Sequence, residues 1–365
     1  MSKEQALLTP YQLGILTLNN RVVMAPMTRS RSNNEGNVAT AMTAEYYAQR
    51  ASAGLIITEG TYISSKAVGF VNVPAIYTDV QVEGWKLVTN AVHGKGGKIF
   101  AQLWHVGRMS HPNLLNGELP LAPSAINPQA QAFTQNGFED TVTPQEMTVE
   151  DIRQTIQDFK KGAANALEAG FDGVELHGAN GYLLHQFFVR AANQRSDAYG
   201  GSVENRARIL FELLDELKEV IDLGRVGIRF NPSSHNLFGM TIDEETIPTF
   251  EYIIRRLNDY GLAYIHLTEP FAPVDNVPGA VSEVAKHFRP LYNGTLIINK
   301  GFTQETGNLV IEEGNADLVA FGVPFISNPD LVERFRSQAP LAEADRNTFY
   351  TTGAQGYIDY PALSA

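Results

Sequence analysis

Apolar residues run along this chain in short, nearly unbroken blocks. Eight of them, residues 21–25, 55–59, 98–103, 171–177, 226–230, 263–268, 295–299 and 317–321, are rich in Val, Ile, Leu, Ala and Phe. Continuous apolar character, rather than alternation, marks a strand covered on both faces. Amphipathic segments with helix boundaries lie between the blocks. Asp79 is placed to cap a helix running through Trp85 and Val92 to Gly94. Thr148, with Glu150 and Asp151 after it, opens a helix ending near Gly170. Ser202 opens another that runs through Leu217, and Asn328-Pro329-Asp330 reads as a cap followed by proline at the first helical position. Strands alternating with helices predict a parallel sheet, either a closed barrel or a doubly wound sheet. The count of eight, and the lack of a Gly-x-Gly-x-x-Gly turn after any strand, favour an α/β fold of the (β/α)8 TIM-barrel type.

Two stretches fall outside the alternation. Residues 7–20, with Leu13-Gly14 and Asn19-Asn20, predict a hairpin closing the bottom of the barrel. Residues 104–147, rich in Pro, Asn, Gln and Gly, form an excursion after strand three that would cap the catalytic face. No linker-like stretch divides the chain, so residues 1–365 read as one domain. Gly94-Lys95-Gly96-Gly97-Lys98 precedes a strand instead of following one, which makes it a helix stop and not a phosphate loop.

Composition narrows the function. A chain of 365 residues that is 44% hydrophobic can bury a large core. No apolar run is long enough to span a bilayer. Residues 1–5 are polar, without the apolar core of an export signal. Zero cysteines exclude a disulfide framework, a thiolate nucleophile and Cys-ligated metal. These points together suggest a cytoplasmic location. The net charge of -12 argues against nucleic acid and anionic membranes as partners. His105, His111, His177 and His185 match no compact ligand spacing, so no metal is expected.

In a barrel of this type, chemistry sits at the C-terminal ends of the strands. Residues 171–182, F-D-G-V-E-L-H-G-A-N-G-Y, carry His177, Asn180 and Tyr182 just past strand four. Hydrogen-bonding side chains crowded there suit a site that polarises a carbonyl and then delivers a proton. Strand one ends Pro26-Met27-Thr28 and strand two ends Glu59-Gly60. Strand three carries Gln102 and Trp104, and strand five carries Arg229. Amide, hydroxyl and guanidinium groups suit a flat heterocycle with carbonyls and ring nitrogens. Lys300-Gly301-Phe302 and Gly322-Val323, after strands seven and eight, suit a phosphate approached by backbone N–H groups. One flat polar ring with one phosphate fits flavin mononucleotide (FMN) better than a dinucleotide. Taken singly, these residues have plainer readings. His177 could be structural, Asn180-Gly181 a turn, Tyr182 and Trp104 packing, and Gly301 and Gly322 ordinary turn glycines. Their shared placement on one barrel face is what outweighs those readings.

At this point the chain resembles the Old Yellow Enzyme family of FMN-dependent ene-reductases, especially its bacterial N-ethylmaleimide and pentaerythritol tetranitrate reductases. The matching stretches, in order, are residues 20–29 (N-R-V-V-M-A-P-M-T-R), 45–51 (E-Y-Y-A-Q-R-A), 102–105 (Q-L-W-H), 171–182, 193–195 (N-Q-R), 199–206 (Y-G-G-S-V-E-N-R) and 328–331 (N-P-D-L). The resemblance implies an NAD(P)H-dependent reductase of activated alkenes: enones, enals, maleimides and nitroalkenes, and in addition nitrate esters or nitroaromatics. It implies that Pro26, Met27 and Thr28 meet the flavin, Thr28 at its C4 carbonyl. Gly60 and Gln102 would bind the pyrimidine edge, with His177 adjoining, and Arg229 would sit near N1 and the C2 carbonyl. Lys300, Gly301, Phe302, Gly322 and Val323 would surround the phosphate. His177 and Asn180 would hold the substrate carbonyl while hydride reaches the β-carbon. Tyr182 would protonate the α-carbon, and Phe70, Trp104 and Tyr350 would wall the substrate pocket.

Three positions depart from the family pattern. Val323 stands where arginine usually pairs with the phosphate, Phe70 where tyrosine is frequent, and Asn180 where the enterobacterial members carry histidine. Two other functions are kept beside the leading one, a non-catalytic flavin-binding protein and a metal-assisted barrel hydrolase. The expected partners are small electrophilic alkenes and NAD(P)H, and a monomer is preferred to a dimer.

Overall fold

All eight apolar blocks form strands, and they pair in parallel, each with the next, until the eighth closes on the first. The structure is a computed structural model and describes residues 5–363; residues 1–4 of the polar N-terminal stretch lie outside that range. The barrel strands are β1 (Val22–Met24), β2 (Leu55–Tyr62), β3 (Ile99–Trp104), β4 (Gly173–His177), β5 (Val226–Phe230), β6 (Tyr264–Thr268), β7 (Leu296–Asn299) and β8 (Leu318–Phe321). The helices are α1 (Ala41–Gln49), α2 (Asp79–His93), α3 (Val149–Glu168), α4 (Leu183–Phe188), α5 (Val203–Leu217), α6 (Thr246–Leu257), α7 (Val284–Phe288), α8 (Gln304–Glu312), α9 (Val323–Ser327) and α10 (Leu331–Ser337).

Strand periodicity divides the side chains between two environments. Val22, Met24, Ile56, Leu103, Val174, Leu176, Ile228 and Phe230 face the helices and join the large outer core. Val23, Leu55, Ile57, Phe100, Tyr264, Ile297 and Leu318 face inward and fill the lower barrel. Glycine makes room for the two aromatic rings there. A Cβ on Gly173 would lie 2.4 Å from the Phe100 ring, and one on Gly227 2.2 Å from the Tyr264 ring. The predicted hairpin is present: Tyr11–Leu13 pairs antiparallel with Leu16–Leu18. Its Leu13 and Leu18 pack into the inner cluster and close the bottom.

One layer higher, the inward positions turn polar: Gln102 on β3, Glu175 on β4, Arg229 on β5, His266 on β6 and Asn299 on β7, all buried. The β2–β3 register slips between Ile57 and Gly60, so Gly60 pairs with Gln102. That bulge at the catalytic end lets the strand bend where its backbone meets the cavity.

The helix boundaries mostly follow the capping signals. Thr148 Oγ1 accepts from Asp151 N at 3.1 Å, and Ser202 Oγ from Asn205 N at 3.3 Å. Gly94 ends α2, as the glycine-lysine stretch predicts. Two boundaries differ. Thr78, not Asp79, caps α2: its hydroxyl accepts from Gln81 N, while the Gln81 carbonyl oxygen accepts from Thr78 N at 3.0 Å. Asn328 does not start a helix. It ends α9, and its side chain donates to Pro324 O (2.8 Å) and Ala342 O (3.1 Å) and accepts from Ala342 N (2.7 Å). The next helix begins after Asp330.

The excursion after β3 builds two small strand pairs, Leu121–Ala122 with Gln145–Glu146 and Gln131–Thr134 with Gly137–Asp140. Its Phe133 carbonyl accepts from Val71 N, tying it to the loop after β2. The C-terminal segment returns to β1. Arg31, buried to 2% exposure, donates to the carbonyl oxygens of Thr348 (2.7 Å), Phe349 (2.7 Å) and Gln355 (3.0 Å). Arg29 donates to Gly356 O at 2.7 Å and to the Tyr46 hydroxyl at 3.0 Å.

Candidate active site

A cavity of about 570 Å³ opens above the polar layer, at the C-terminal ends of the strands. Of the seventeen positions singled out in the sequence, sixteen line it: Pro26, Met27, Thr28, Gly60, Gln102, Trp104, His177, Asn180, Tyr182, Arg229, Lys300, Gly301, Phe302, Gly322, Val323 and Tyr350. Phe70 is the exception. It stacks on Trp104 (centroids 5.6 Å apart) and meets Tyr182 edge-on (6.5 Å), so it backs the wall and does not form it. Asn299, Phe271 and Phe349 also line the cavity and were missed. Asn299 had a signal, being a polar side chain in an apolar block. Phe271 and Phe349 lie on loops and had none.

The floor is a hydrogen-bonded layer. Gln102 Nε2 donates to Glu175 Oε1 at 2.7 Å, and the other Glu175 oxygen pairs with His266 Nδ1 at 2.8 Å. Arg229 donates through Nη2 to Asn299 Oδ1 at 3.0 Å, and Asn299 Nδ2 donates to Ala320 O. The remaining Arg229 donors, Nε and Nη1, are buried without a protein partner. Burial pushes the Glu175 carboxyl up, but His266, Arg229 and Gln102 outweigh it and hold it below its ordinary value. A buried guanidinium with two unpartnered nitrogens at a cavity wall calls for an acceptor from a ligand.

His177, Asn180 and Tyr182 sit on the turn between β4 and α4. Asn180 takes a positive φ of 57°, and Gly181 follows at 75°, which lets the chain reverse sharply above the strand end. His177 Nδ1 accepts from Ala179 N at 3.4 Å, which leaves the proton on Nε2. Burial, reinforced by Arg229, His185 and His266, drives its pKa well below the ordinary value, so the imidazole is neutral. Asn180 Oδ1 accepts from Asn231 Nδ2 at 3.0 Å, and Asn180 N donates to Asn231 Oδ1 at 2.9 Å. With its oxygen engaged, Asn180 has only its NH2 to offer a ligand. The turn therefore presents two neutral donors. Tyr182 rests edge-on against Trp104 (4.8 Å) and His177 (5.0 Å), and burial raises its phenol pKa above the ordinary value.

Trp104 reaches close to β2 because residue 60 is glycine; a Cβ there would lie 2.4 Å from the indole. At the other end of the cavity, Gly301 has a φ of 82° and open space where a Cβ would stand. Lys300, itself at φ 88°, sets its ammonium 5.3 Å from the Phe271 ring centroid. Val323 is 48% exposed at the start of α9. Among the described cavity-lining residues, Arg229 and Lys300 are the cations. These groups fit a flat heterocycle at the inner end and a phosphate at the outer end. Among the described residues no cluster of three or more His, Asp or Glu stands ready for a metal, and the four histidines weighed in the sequence do not converge on one.

Comparison with known proteins agrees with this geometry. A profile of the NADH:flavin oxidoreductase / NADH oxidase family, a family of FMN oxidoreductases, matches residues 6–342. The chain is 43% identical to 12-oxophytodienoate reductase 1 of Oryza sativa subsp. japonica, over 98% of this chain and 93% of that protein. It is 40% identical to the flavin oxidoreductase hxnT of Emericella nidulans, over 99% and 98%. Among solved structures, morphinone reductase in complex with tetrahydroNAD superposes with a TM-score of 0.91 at 44% identity, covering 98% of each chain. The Old Yellow Enzyme homologue from Zymomonas mobilis superposes with a TM-score of 0.93 at 39% identity, covering 98% of this chain and 100% of that one.

Proposed function

The chain belongs to the NADH:flavin oxidoreductase / NADH oxidase family, the Old Yellow Enzyme group of FMN-dependent, NAD(P)H-oxidising barrels, and from that premise we propose that it reduces the activated C=C bond of enone-type substrates. The supporting relatives are named for an oxophytodienoate and for morphinone. Enals, maleimides and nitroalkenes belong to the same proposal, as do nitrate esters and nitroaromatics. The observation that carries the reading is the pair of neutral donors at one cavity wall, His177 through Nε2 and Asn180 through its NH2, with Tyr182 two residues after Asn180 lining the same cavity.

Bound FMN would supply the hydride chemistry that links NAD(P)H to the electrophilic carbon of the alkene. Everything else falls to side chains of this protein. Gln102, Arg229 and Thr28 hold the heterocycle edge, and Pro26, Met27 and Gly60 shape its bed. Backbone N–H groups at Gly301, Phe302, Gly322 and Val323 would hold the phosphate, and Lys300 would supply a cation where Val323 offers none. His177 and Asn180 donate to the substrate carbonyl oxygen, and their bonds strengthen as negative charge gathers there. Each such donor contributes on the order of 10²–10³ in rate. Tyr182 keeps its proton at neutral pH and gives it to the α-carbon, then recovers one from solvent. Trp104, backed by Phe70, and Tyr350 orient the alkene.

We read the whole chain as one FMN-binding domain acting as a cytoplasmic monomer. The cavity is supported from within the chain, because the C-terminal segment that carries Phe349 and Tyr350 is fastened to β1 by Arg29 and Arg31. No described helix is long and apolar enough to cross a membrane. The deciding experiment is the oxidative half-reaction. Reduced wild-type protein mixed with 2-cyclohexenone should return to the yellow oxidised form and yield cyclohexanone, whereas a flavin-storage protein would stay reduced.

A further inference from the structure

Gln102 and Glu175 face each other across the β3–β4 register, inside the barrel, and Gln102 lines the cavity. The carboxylate is fully buried and has two partners, the Gln102 amide NH2 and His266 Nδ1. A carboxylate accepts and does not donate, so it fixes which end of the amide turns toward it. The Gln102 carbonyl oxygen is left on the cavity side with no protein donor among its hydrogen bonds. A second consequence is electrostatic. Arg229 is a buried cation whose side chain bonds only the neutral Asn299, and Glu175 is the buried anion that balances it. His266 Nδ1 meets the second Glu175 oxygen, and burial pushes its pKa below the ordinary value against the pull of Glu175.

We propose that Glu175 is a positioning residue for the cofactor: it sets Gln102 as a hydrogen-bond acceptor for a ring N–H of the flavin and offsets the charge of Arg229 at the cavity floor. The inference rests on the FMN reading above. Glu175 lies in the polar layer beside Gln102 but does not itself line the cavity, so it acts through Gln102 and Arg229. A ligand edge alternating carbonyl and N–H, such as the flavin pyrimidine ring, matches an acceptor at Gln102 beside the donors of Arg229. Removing the anion while keeping the volume frees the amide to turn over and leaves Arg229 uncompensated. The first change lowers selectivity for the ring N–H. The second favours the reduced, more negative flavin and moves the potential upward.

The test uses apoprotein reloaded with FMN or with N3-methyl-FMN, whose ring N–H is blocked, followed by flavin fluorescence and by spectroelectrochemistry. Wild type should bind FMN at least about tenfold more tightly than the methylated analogue, the worth of one hydrogen bond. In Glu175→Gln that preference should fall below about threefold. The reduced-to-oxidised affinity ratio should rise about tenfold, which is about 30 mV for a two-electron couple. Glu175→Asp keeps the charge but withdraws the acceptor, so it should lose analogue selectivity while holding the potential, and it serves where the amide variant fails to fold. Equal binding of FMN and its methylated analogue by wild type would overturn the proposal. So would variants that fold, bind flavin and match wild type in selectivity and potential. A wild-type chain that takes up no FMN would instead remove the cofactor reading itself.

Discussion

Three side chains on one turn are assigned separable jobs, and each job has its own kinetic signature. Replacing Tyr182 by Phe should leave flavin reduction by NAD(P)H intact while slowing enone turnover by about 10²–10⁴, the usual worth of a general acid. Stopped-flow traces of the two half-reactions distinguish this from a folding defect, and unchanged enone turnover would remove Tyr182 as the proton source. Because His177 is held neutral by burial and Asn180 does not titrate, the carbonyl-binding donors keep one protonation state. The sign follows directly: a histidine whose pKa is driven down loses its proton below neutrality and stays uncharged above it. Oxidation by enone should therefore be flat from about pH 6 to 9, and an inflection abolished by His177→Asn would contradict this. At the phosphate end, Lys300→Gln should weaken FMN binding about tenfold or more and leave riboflavin binding unchanged, the difference isolating a charge-assisted contact. Equal losses for both flavins would assign Lys300 to packing. Most of these residues were legible in the sequence, because polar groups ending apolar strands stand out. Phe70 stands behind Trp104 because of the fold of the loop after β2, which carries no periodic signal in the sequence.

Elements were more legible than their joints. Every predicted strand formed, since a strand covered on both faces must be apolar throughout. The bulge that carries β2 on to Tyr62 was not visible, because Glu59-Gly60 reads as a strand end. At α2, Thr78 and Asp79 are both good caps, and the reciprocal bond with Gln81 selects Thr78. Glu59, at that bulge, accepts from Arg29 N (3.1 Å) and Ser30 N (3.3 Å). Burial nonetheless pushes its pKa up to about 7, against 4.5 for an ordinary Glu. The folded chain then binds this proton more tightly than the unfolded one. Its stabilising contribution is complete below about pH 4.5 and is lost as pH rises through about 7. Melting temperatures measured between about pH 5 and 8 should carry this downward slope, and Glu59→Gln should flatten it. A slope unchanged in the variant would assign it to other groups.

The whole molecule depends on its two ends meeting. Arg29 and Arg31, next to the first strand, bind carbonyl oxygens more than three hundred residues later, and the segment they hold brings Phe349 and Tyr350 to the cavity. Nothing in the sequence indicated this, because backbone carbonyls are the same at every position. Arg31→Met would strand several buried acceptors, so it should cost about 3 kcal/mol or more. It should also open the C-terminal segment to proteolysis before the barrel is cut. A tail as resistant as in wild type would refute the clasp. The most direct test of the central claim is anaerobic stopped-flow spectroscopy of the wild-type holoprotein in two mixes. NADPH or NADH should bleach the flavin band, and 2-cyclohexenone added without oxygen should restore it while cyclohexanone appears in equal amount. A band that stays bleached until oxygen is admitted would contradict the account.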